Sequence, residues 1–165
     1  SDQIELYIPP QKGKTHVLRV IRELLYFKPS HQHTSINSAL EFLNRVNKRR
    51  AVVFLVSDFL DSGYDLNLNL TGKRHDLVAV EIVDPAEKEL PKIGLVEIID
   101  PETDELFLVD TDNKPWRDRY QSVRQKAEEE RQTYLRKIGV DQLIVSTDKP
   151  FERDLINFFK RRSLR

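Results

Sequence analysis

The sequence predicts an α/β protein in which a mostly parallel sheet is flanked by helices. The first observation is a continuous apolar run at residues 51–56, which ends abruptly at Ser57 and Asp58. A run of this length, in which apolar and polar residues do not alternate, is typical of a strand covered on both faces inside a parallel sheet. The second observation is the order of the patterns along the chain. Candidate helices separate most of the candidate strands, so parallel crossover connections are expected.

Length and composition predict one soluble domain over residues 1–165. Acidic and basic residues balance at 27 each, which argues against a nucleic-acid partner despite short basic clusters at 48–50 and 160–165. No apolar run approaches the roughly 20 residues of a membrane span. The chain has no cysteine, so thiolate metal sites and disulfides are excluded. We expect a cytoplasmic protein without a membrane span.

The first elements are a predicted strand and a predicted helix. Residues 4–8 alternate apolar and polar side chains, as a half-buried strand does. Residues 15–27 carry apolar side chains at helical spacing, with Thr15 as a candidate N-cap and Pro29 as a stop signal. The side facing the core should include Leu24, Leu25 and Phe27.

A second amphipathic helix is predicted over residues 35–47. Thr34 lies at its start and has two interpretations: its hydroxyl caps the first turn, or it faces a crevice as an oxygen ligand. His31 and His33 precede it in a polar loop, and two histidines without a third ligand are read as surface residues. The inward-facing residues should be Ile36, Ala39, Leu40, Leu43 and Val46.

Asp58 is the first candidate functional residue. Polar residues at the carboxyl end of a parallel strand face the crevice where open α/β sheets bind ligands. The alternative is an aspartate that only turns the chain. The leucines at 66–70 alternate with asparagines, so this segment could be a helix or an irregular cover. Residues 76–84 form a second strand, again followed by an acid.

A β-hairpin interrupts the alternation of strands and helices. Residues 95–99 and 105–109 read as two strands joined by a turn-rich link at 100–104. The hairpin should be an insertion at the rim of the sheet, because its strands follow one another without an intervening helix.

The last part of the sequence returns to the α/β pattern. A long helix is predicted over residues 113–138, ending before Gly139, with the charged run 126–131 on its solvated face. A short buried strand follows at 142–146. Pro150 opens the final amphipathic helix.

Four motifs carry a resemblance to a known family. Residues 51–59, A-V-V-F-L-V-S-D-F, preceded by 34–43, T-S-I-N-S-A-L-E-F-L, resemble the later half of a von Willebrand factor A domain. Residues 7–25, Y-I-P-P-Q-K-G-K-T-H-V-L-R-V-I-R-E-L-L, and 83–91, V-D-P-A-E-K-E-L-P, resemble a bacterial family of unknown function that carries this domain. Members of that family are commonly associated with MoxR-type AAA+ ATPases. The resemblance covers nearly the whole chain and implies a Rossmann-like sheet.

The resemblance also implies a metal-ion-dependent adhesion site. In such sites a D-x-S-x-S loop, a threonine and an aspartate hold a divalent ion. Thr34 matches the threonine and Asp58 the aspartate, but no D-x-S-x-S occurs in the 165 residues. The chain is therefore expected to be a truncated domain that lacks its first strand and helix. Mg²⁺ is expected in the full-length parent, and an incomplete site without bound metal in this fragment.

Two functions follow as hypotheses. The first is a protein-interaction module, not an enzyme, that works with a MoxR-type AAA+ ATPase in the assembly or maturation of other proteins. The alternative is a hydrolase-type enzyme that uses Asp58, Asp61 and a neighbouring histidine, with His31, His33 and His75 as the candidates. No nucleophile elbow, P-loop or glycine-rich dinucleotide turn supports the alternative.

The expected truncation has a structural consequence. Without its neighbouring strand, the run at 51–56 should expose an apolar edge with unpaired backbone groups, and such edges recruit other strands. The sequence therefore predicts either that residues 4–8 pair with this edge or that two chains form a homodimer through it.

Overall fold

The computed structural model describes residues 3–30, 34–85, 92–99 and 106–164. Two helices come first, and strands and helices then alternate along these ranges except at one hairpin. The helices are α1 (Lys14–Tyr26), α2 (Ile36–Val46), α3 (Asp65–Arg74), α4 (Lys114–Lys137) and α5 (Glu152–Arg162). The strands are β1 (Val52–Ser57), β2 (Asp76–Val83), β3 (Leu95–Ile99), β4 (Leu106–Asp110) and β5 (Asp141–Ser146).

The main sheet confirms the predicted fold class. It has the order β1-β2-β5 with both pairs parallel, so that Val56 lies opposite Val80 and Val80 opposite Leu143. Strands β3 and β4 form a separate antiparallel pair, as the hairpin pattern predicted. The link at 100–104 lies outside the described residues. The segment at 66–70, ambiguous in sequence, belongs to helix α3.

Two hydrophobic clusters cover the two faces of the main sheet. On one face, α2, α3 and α4 pack over side chains of β1 and β2. On the other face, α5 packs over β2 and β5. The buried members of the first cluster are Ile36, Leu40, Phe59, Tyr64, Leu68, Leu77, Ala79, Leu135 and Val140. Those of the second are Val78, Val80, Leu143 and Phe158.

Strand β1 is at the edge of this sheet, so the prediction that it is covered on both faces is wrong. Its inner face packs into the first cluster through Val53 and Leu55. On the other face Val52, Phe54 and Val56 are 56%, 45% and 61% exposed. An unbroken apolar run shows that both faces of the strand are apolar. It does not identify the residues that cover each face.

The predicted strand at residues 4–8 is absent from the structure. The segment has no regular structure and does not pair with β1. It is held instead near α2, where the ring of Tyr7 lies 5.3 Å from that of Phe42. The Oε2 atom of Glu5 accepts a hydrogen bond of 2.6 Å from the backbone N–H of Ser30. The alternation at 4–8 is that of a strand, but the segment pairs with none of the described strands.

Helix α1 forms where the periodicity predicted it, yet its apolar side is not core. No residue of α1 is buried, and Leu24 and Leu25 are 78% and 73% exposed. Phe27 is also exposed. The helix begins after Gly13 without a side-chain cap, so Thr15 does not have the predicted role. Periodicity identifies which side of a helix is apolar, but not what covers it.

Helix α4 begins and ends by local signals that the sequence contains. The side chain of Asn113 accepts a hydrogen bond of 3.2 Å from the N–H of Trp116, which caps the first turn. Gly139 has a φ of 71°, a conformation that favours glycine and ends the helix. At its amino end, Thr111 is buried and donates a hydrogen bond of 2.7 Å to the carbonyl of Gly94, which joins the base of β3 to that of β4.

The basic residues at the carboxyl terminus include a structural ion-pair partner. The guanidinium of Arg162 contacts the carboxylate of Asp76 and lies 3.0 Å from that of Asp141. These aspartates begin β2 and β5, so Arg162 joins the end of α5 to the amino ends of two strands. Among the described helices, none is long and apolar enough to cross a membrane.

His75 is a buried imidazole at the junction between α3 and β2. It is 1% exposed, and neither ring nitrogen has a hydrogen-bond partner within the part of the chain that the structure describes. Burial lowers the pKa of His75 below its ordinary value, and the neighbouring Arg74 guanidinium lowers it further. The folded protein therefore holds His75 neutral at a pH where the unfolded chain protonates it.

We expect acid to destabilise the fold through His75. Because its folded pKa is the lower one, its contribution to stability is complete above about pH 6.5 and is lost as the pH falls toward the folded pKa. Thermal melts from pH 8 to pH 5 should show a falling Tm, and His75→Gln should flatten that fall. A wild-type Tm that is constant over this range would contradict the prediction.

Candidate binding crevice at the carboxyl ends of the strands

Asp58 lies where the sequence placed it, directly after β1 at the carboxyl end of the strand. Its side chain is exposed. Its Oδ1 atom accepts a hydrogen bond of 3.2 Å from the N–H of Leu60, and the hydroxyl of Ser57 accepts one of 3.1 Å from the N–H of Phe59. The turn-forming alternative therefore holds as well: Asp58 shapes the loop while its carboxylate stays accessible to a ligand.

The next residue, Phe59, has an unusual backbone. Its φ is 57°, and it is the one described non-glycine residue with a positive φ. Its ring is nevertheless buried, 6.1 Å from the ring of Tyr64 and 5.7 Å from the guanidinium of Arg131. Burial of the ring offsets the cost of a left-handed conformation, which fixes the direction in which the chain leaves β1.

Asp61 joins the loop after β1 to helix α2. Its Oδ2 atom accepts a hydrogen bond of 2.7 Å from the N–H of Ile36, the first residue of α2. Its Oδ1 atom accepts one of 2.6 Å from the N–H of Ser62. A carboxylate at a helix amino terminus satisfies an unpaired donor and complements the helix dipole. The amino end of α2 is thereby fixed beside the carboxyl end of β1.

Ser35, not Thr34, caps α2. The Ser35 hydroxyl accepts a hydrogen bond of 3.1 Å from the N–H of Ser38, so the capping interpretation of Thr34 is wrong. Thr34 is exposed one residue earlier. Through the Ile36–Asp61 hydrogen bond, the segment that carries Thr34 is joined to the loop that carries Asp58. Assignment of these two residues as metal ligands stays a prediction.

The position of His75 does not support the hypothesis of an enzyme that uses Asp58 and a neighbouring histidine. His75 precedes β2, which is parallel to β1, so it lies at the amino ends of the strands and Asp58 at the carboxyl ends. His75 is level with Ala51 in the parallel register, and the seven positions from there to Asp58 separate the two residues by about 23 Å. His31 and His33 lie outside the described residues. Over the ranges that the structure describes, no group of three or more histidine, aspartate or glutamate side chains could hold a metal ion.

A cavity of about 540 Å³ lies beside this loop. We call it the carboxyl-end crevice. Its walls are the loop at residues 58–65, the carboxyl end of β2 at 81–83 and one side of α4 between Arg124 and Leu135. Its lining combines carboxylates, two arginines and apolar side chains, a mixture that suits a polar group of a partner with apolar surroundings.

Glu81 and Arg131 form a buried ion pair at the base of the crevice. Glu81 is 3% exposed and contacts the Arg131 guanidinium. Its second oxygen accepts a hydrogen bond of 2.6 Å from the side chain of Gln142. Arg131 was expected on a solvated helix face, and that expectation is wrong. The signal available in the sequence was Glu81 itself, because an acid inside an apolar strand needs a cation.

Two tyrosines also line the crevice, Tyr64 on the loop at 58–65 and Tyr134 on α4. Burial raises the pKa of the Tyr64 hydroxyl above its ordinary value, while the nearby Arg131 acts in the opposite direction. Burial also raises the pKa of Tyr134, and the Asp65 carboxylate adds to the effect. The Tyr134 hydroxyl donates a hydrogen bond of 2.7 Å to the carbonyl of Asp65. Both hydroxyls thus stay protonated near neutral pH.

Fold and crevice together define an α/β domain of Rossmann-like architecture, with a crevice at the carboxyl ends of its parallel strands. The chain belongs to the family described as "Protein of unknown function DUF58", whose model matches residues 1–131. That match includes the loop after β1, the hairpin and α4 as far as Arg131.

Mycobacterial proteins are among its relatives. The chain is 30% identical to an uncharacterized protein of Mycobacterium avium over 128 residues, which are 76% of this chain and 74% of the relative. It is 25% identical over 160 residues to uncharacterized proteins of Mycobacterium bovis and Mycobacterium tuberculosis, covering 94% of this chain and 50% of each relative. The chain thus spans half the length of those two relatives. A comparison with solved structures gives no match.

Proposed function

We propose that this chain is a protein-interaction module that binds its partner at the carboxyl-end crevice. The observation that supports the proposal most directly is the position of Asp58. Its carboxylate is exposed at the carboxyl end of β1, on a loop that the Asp61–Ile36 hydrogen bond fixes to α2. A charged group held on a rigid loop loses little conformational freedom on binding, which favours recognition of a complementary group on a partner.

The partner class that we propose is a MoxR-type AAA+ ATPase, acting with the module in assembly or maturation of other proteins. The support is the resemblance of the P-P-Q-K-G-K and V-D-P-A-E-K-E-L-P segments, at residues 9–14 and 83–91, to the family associated with these ATPases. Both segments lie within residues 1–131, which the DUF58 family model matches.

Binding of the purified chain to a MoxR-type ATPase from the same organism tests the proposal. In biolayer interferometry, Asp58→Ala should weaken binding at least about tenfold, the effect of losing one charged contact. Asp118→Ala is the matched control, since Asp118 is an exposed aspartate on α4 outside the crevice lining. Absence of binding, or an equal loss in both variants, would refute the proposal.

The residues of this chain do not by themselves fit a Mg²⁺ ion. Mg²⁺ requires about six oxygen ligands in octahedral geometry. The two predicted ligands, Thr34 and Asp58, supply two oxygens, and the described residues contain no larger cluster that could hold a metal. We propose that the Mg²⁺ site belongs to longer proteins of the family, in which a D-x-S-x-S loop adds ligands.

Titration calorimetry should therefore detect weak or no Mg²⁺ binding by residues 1–165. A family member that carries a D-x-S-x-S loop should bind Mg²⁺ orders of magnitude more tightly, because more of the hydration shell is replaced. Substitution of its counterpart of Asp58 with alanine should remove that gain. Tight binding by residues 1–165 alone would show that the ligands have been assigned wrongly.

A further inference from the structure

The carboxyl-end crevice concentrates negative charge on a chain that is neutral as a whole. Six of its lining residues are acidic and two are arginines. Glu81 and Arg131 neutralise each other at its base. Among the other acids are Asp58, Asp61 and Asp65 on the loop after β1, and none of these three pairs with a basic side chain among the described residues. The crevice therefore attracts a cationic group.

The spacing of these carboxylates suits an organic cation better than a metal ion. Over the described ranges, no three acidic or histidine side chains converge closely enough to hold a metal. Asp61 is also engaged, because its two oxygens accept hydrogen bonds from the N–H groups of Ile36 and Ser62. A guanidinium spreads five N–H donors over a plane and can reach acceptors that lie apart, whereas Mg²⁺ needs about six oxygens around one point.

Tyr64 gives a second, independent sign of a ligand. Its side chain is 8% exposed and lines the crevice, yet none of the hydrogen bonds between described residues involves its hydroxyl. The hydroxyl oxygen is not among the fully enclosed, unpaired polar atoms of these residues, so it faces the open space of the crevice. A tyrosine hydroxyl at this depth usually has a hydrogen-bond partner. A ligand with N–H donors would supply one.

Asp65 lies beside this hydroxyl and beside the second tyrosine of the crevice. Its carboxylate is close enough to raise the pKa of both Tyr64 and Tyr134. The Tyr134 hydroxyl donates a hydrogen bond of 2.7 Å to the carbonyl of Asp65, which holds the backbone there against α4. A carboxylate, an unpaired hydroxyl and aromatic rings thus meet at one wall. This combination suits a guanidinium, which pairs with carboxylates and stacks on aromatic rings.

We propose that the crevice binds an arginine side chain of the partner protein. The guanidinium donates hydrogen bonds to the Asp65 carboxylate and the Tyr64 oxygen, and Asp58 at the rim adds to the attraction. Arg131 does not oppose binding, because Glu81 neutralises its charge. A lysine fits less well, since its ammonium is a compact and strongly hydrated charge. The inference rests on the proposed function and adds the chemical group that the partner presents.

Amide NMR titrations of the purified chain with Nα-acetyl-arginine N-methylamide, here called capped arginine, test the proposal. Capped arginine should shift the amide signals of residues 60–65 and 81–83 with a Kd on the order of 1 mM. The neutral citrulline counterpart should not shift them, and the lysine counterpart should bind more weakly. Tyr64→Phe and Asp65→Asn should each weaken binding of capped arginine about tenfold, the effect of losing one hydrogen bond to a charged group.

Two matched controls show whether these losses are specific to the crevice. Tyr26→Phe, on α1, and Asp118→Asn, on α4, change exposed residues outside the lining and should leave the Kd unchanged. Circular dichroism should show that all four variants are folded. Equal shifts from capped arginine and citrulline, or an unchanged Kd in both Tyr64→Phe and Asp65→Asn, would overturn the proposal. A lysine counterpart that binds as tightly would overturn the choice of a guanidinium.

A competition experiment separates this inference from the proposed function. Excess capped arginine should displace the ATPase from the chain in biolayer interferometry. An ATPase that stays bound in excess capped arginine, and that binds Tyr64→Phe normally, would overturn the arginine inference and leave the proposed function intact. Capped arginine that binds in the crevice of a chain to which the ATPase does not bind would contradict only the choice of partner.

Discussion

Replacement of Arg131 with alanine should lower the free energy of unfolding by about 3–5 kcal/mol. The substitution leaves the Glu81 carboxylate, which is 3% exposed, without its cation. It also removes the guanidinium that lies over the Phe59 ring. Urea unfolding followed by circular dichroism measures the change.

Two further variants separate the charge effect from loss of packing. The double substitution Glu81→Leu with Arg131→Met should recover much of the stability, because apolar replacement of a buried ion pair is often neutral or favourable. Lys126→Ala on the same helix should change little, since Lys126 and its partner Glu130 are solvent-exposed. If Arg131→Ala unfolds at the same urea concentration as the wild type, the ion pair does not stabilise the fold.

Leu68→Ala should lower the free energy of unfolding by about 2–5 kcal/mol. Leu68 is fully buried, packs in the cluster beneath α2, α3 and α4, and lines the carboxyl-end crevice. Removing its side chain loses apolar burial and leaves a void next to Phe59 and Tyr64. The loss of stability should be near the lower limit of this range if the side chains that line the crevice can move into the void.

Leu66→Ala is the matched control for this prediction. Leu66 is on the same helix, two residues earlier, and is 71% exposed. The same side chain is removed in both variants, so a difference in urea midpoint reports burial alone. Equal midpoints would mean that α3 does not pack on the sheet in the way that the structure describes.

The sequence predicted the elements that depend on local patterns. Among the described residues, the three parallel strands, the hairpin strands and helices α1, α2, α4 and α5 form within a few residues of their predicted bounds, whereas the segment of α3 was left open between a helix and an irregular cover. Asp58 was also located correctly, because a polar residue after an apolar strand is a local signal with a definite meaning in parallel sheets. Capping was less well predicted: Ser35 and Gly13, neighbours of the chosen threonines, occupy the cap positions.

The unpredicted features depend on contacts between distant parts of the chain. Arg131 pairs with Glu81 fifty positions away, and nothing in the charged run of α4 distinguishes this arginine from its neighbours. Asp61 binds the start of α2, another contact across 25 positions. The predictions that α1 and the outer face of β1 are buried were wrong for the same reason. An apolar side chain in the sequence does not identify the residues that pack against it in the fold.

The left-handed backbone of Phe59 restricts the mutational tolerance of this position. Glycine suits the backbone but leaves the space beside Tyr64 unfilled, whereas valine or isoleucine cannot adopt the conformation without strain. Few residues can meet both demands, so variation at this position should be narrow even though Leu60 beside it is exposed. A change at Phe59 would redirect the chain directly after Asp58. A substitution of this buried side chain would thereby alter the orientation of the exposed Asp58 carboxylate.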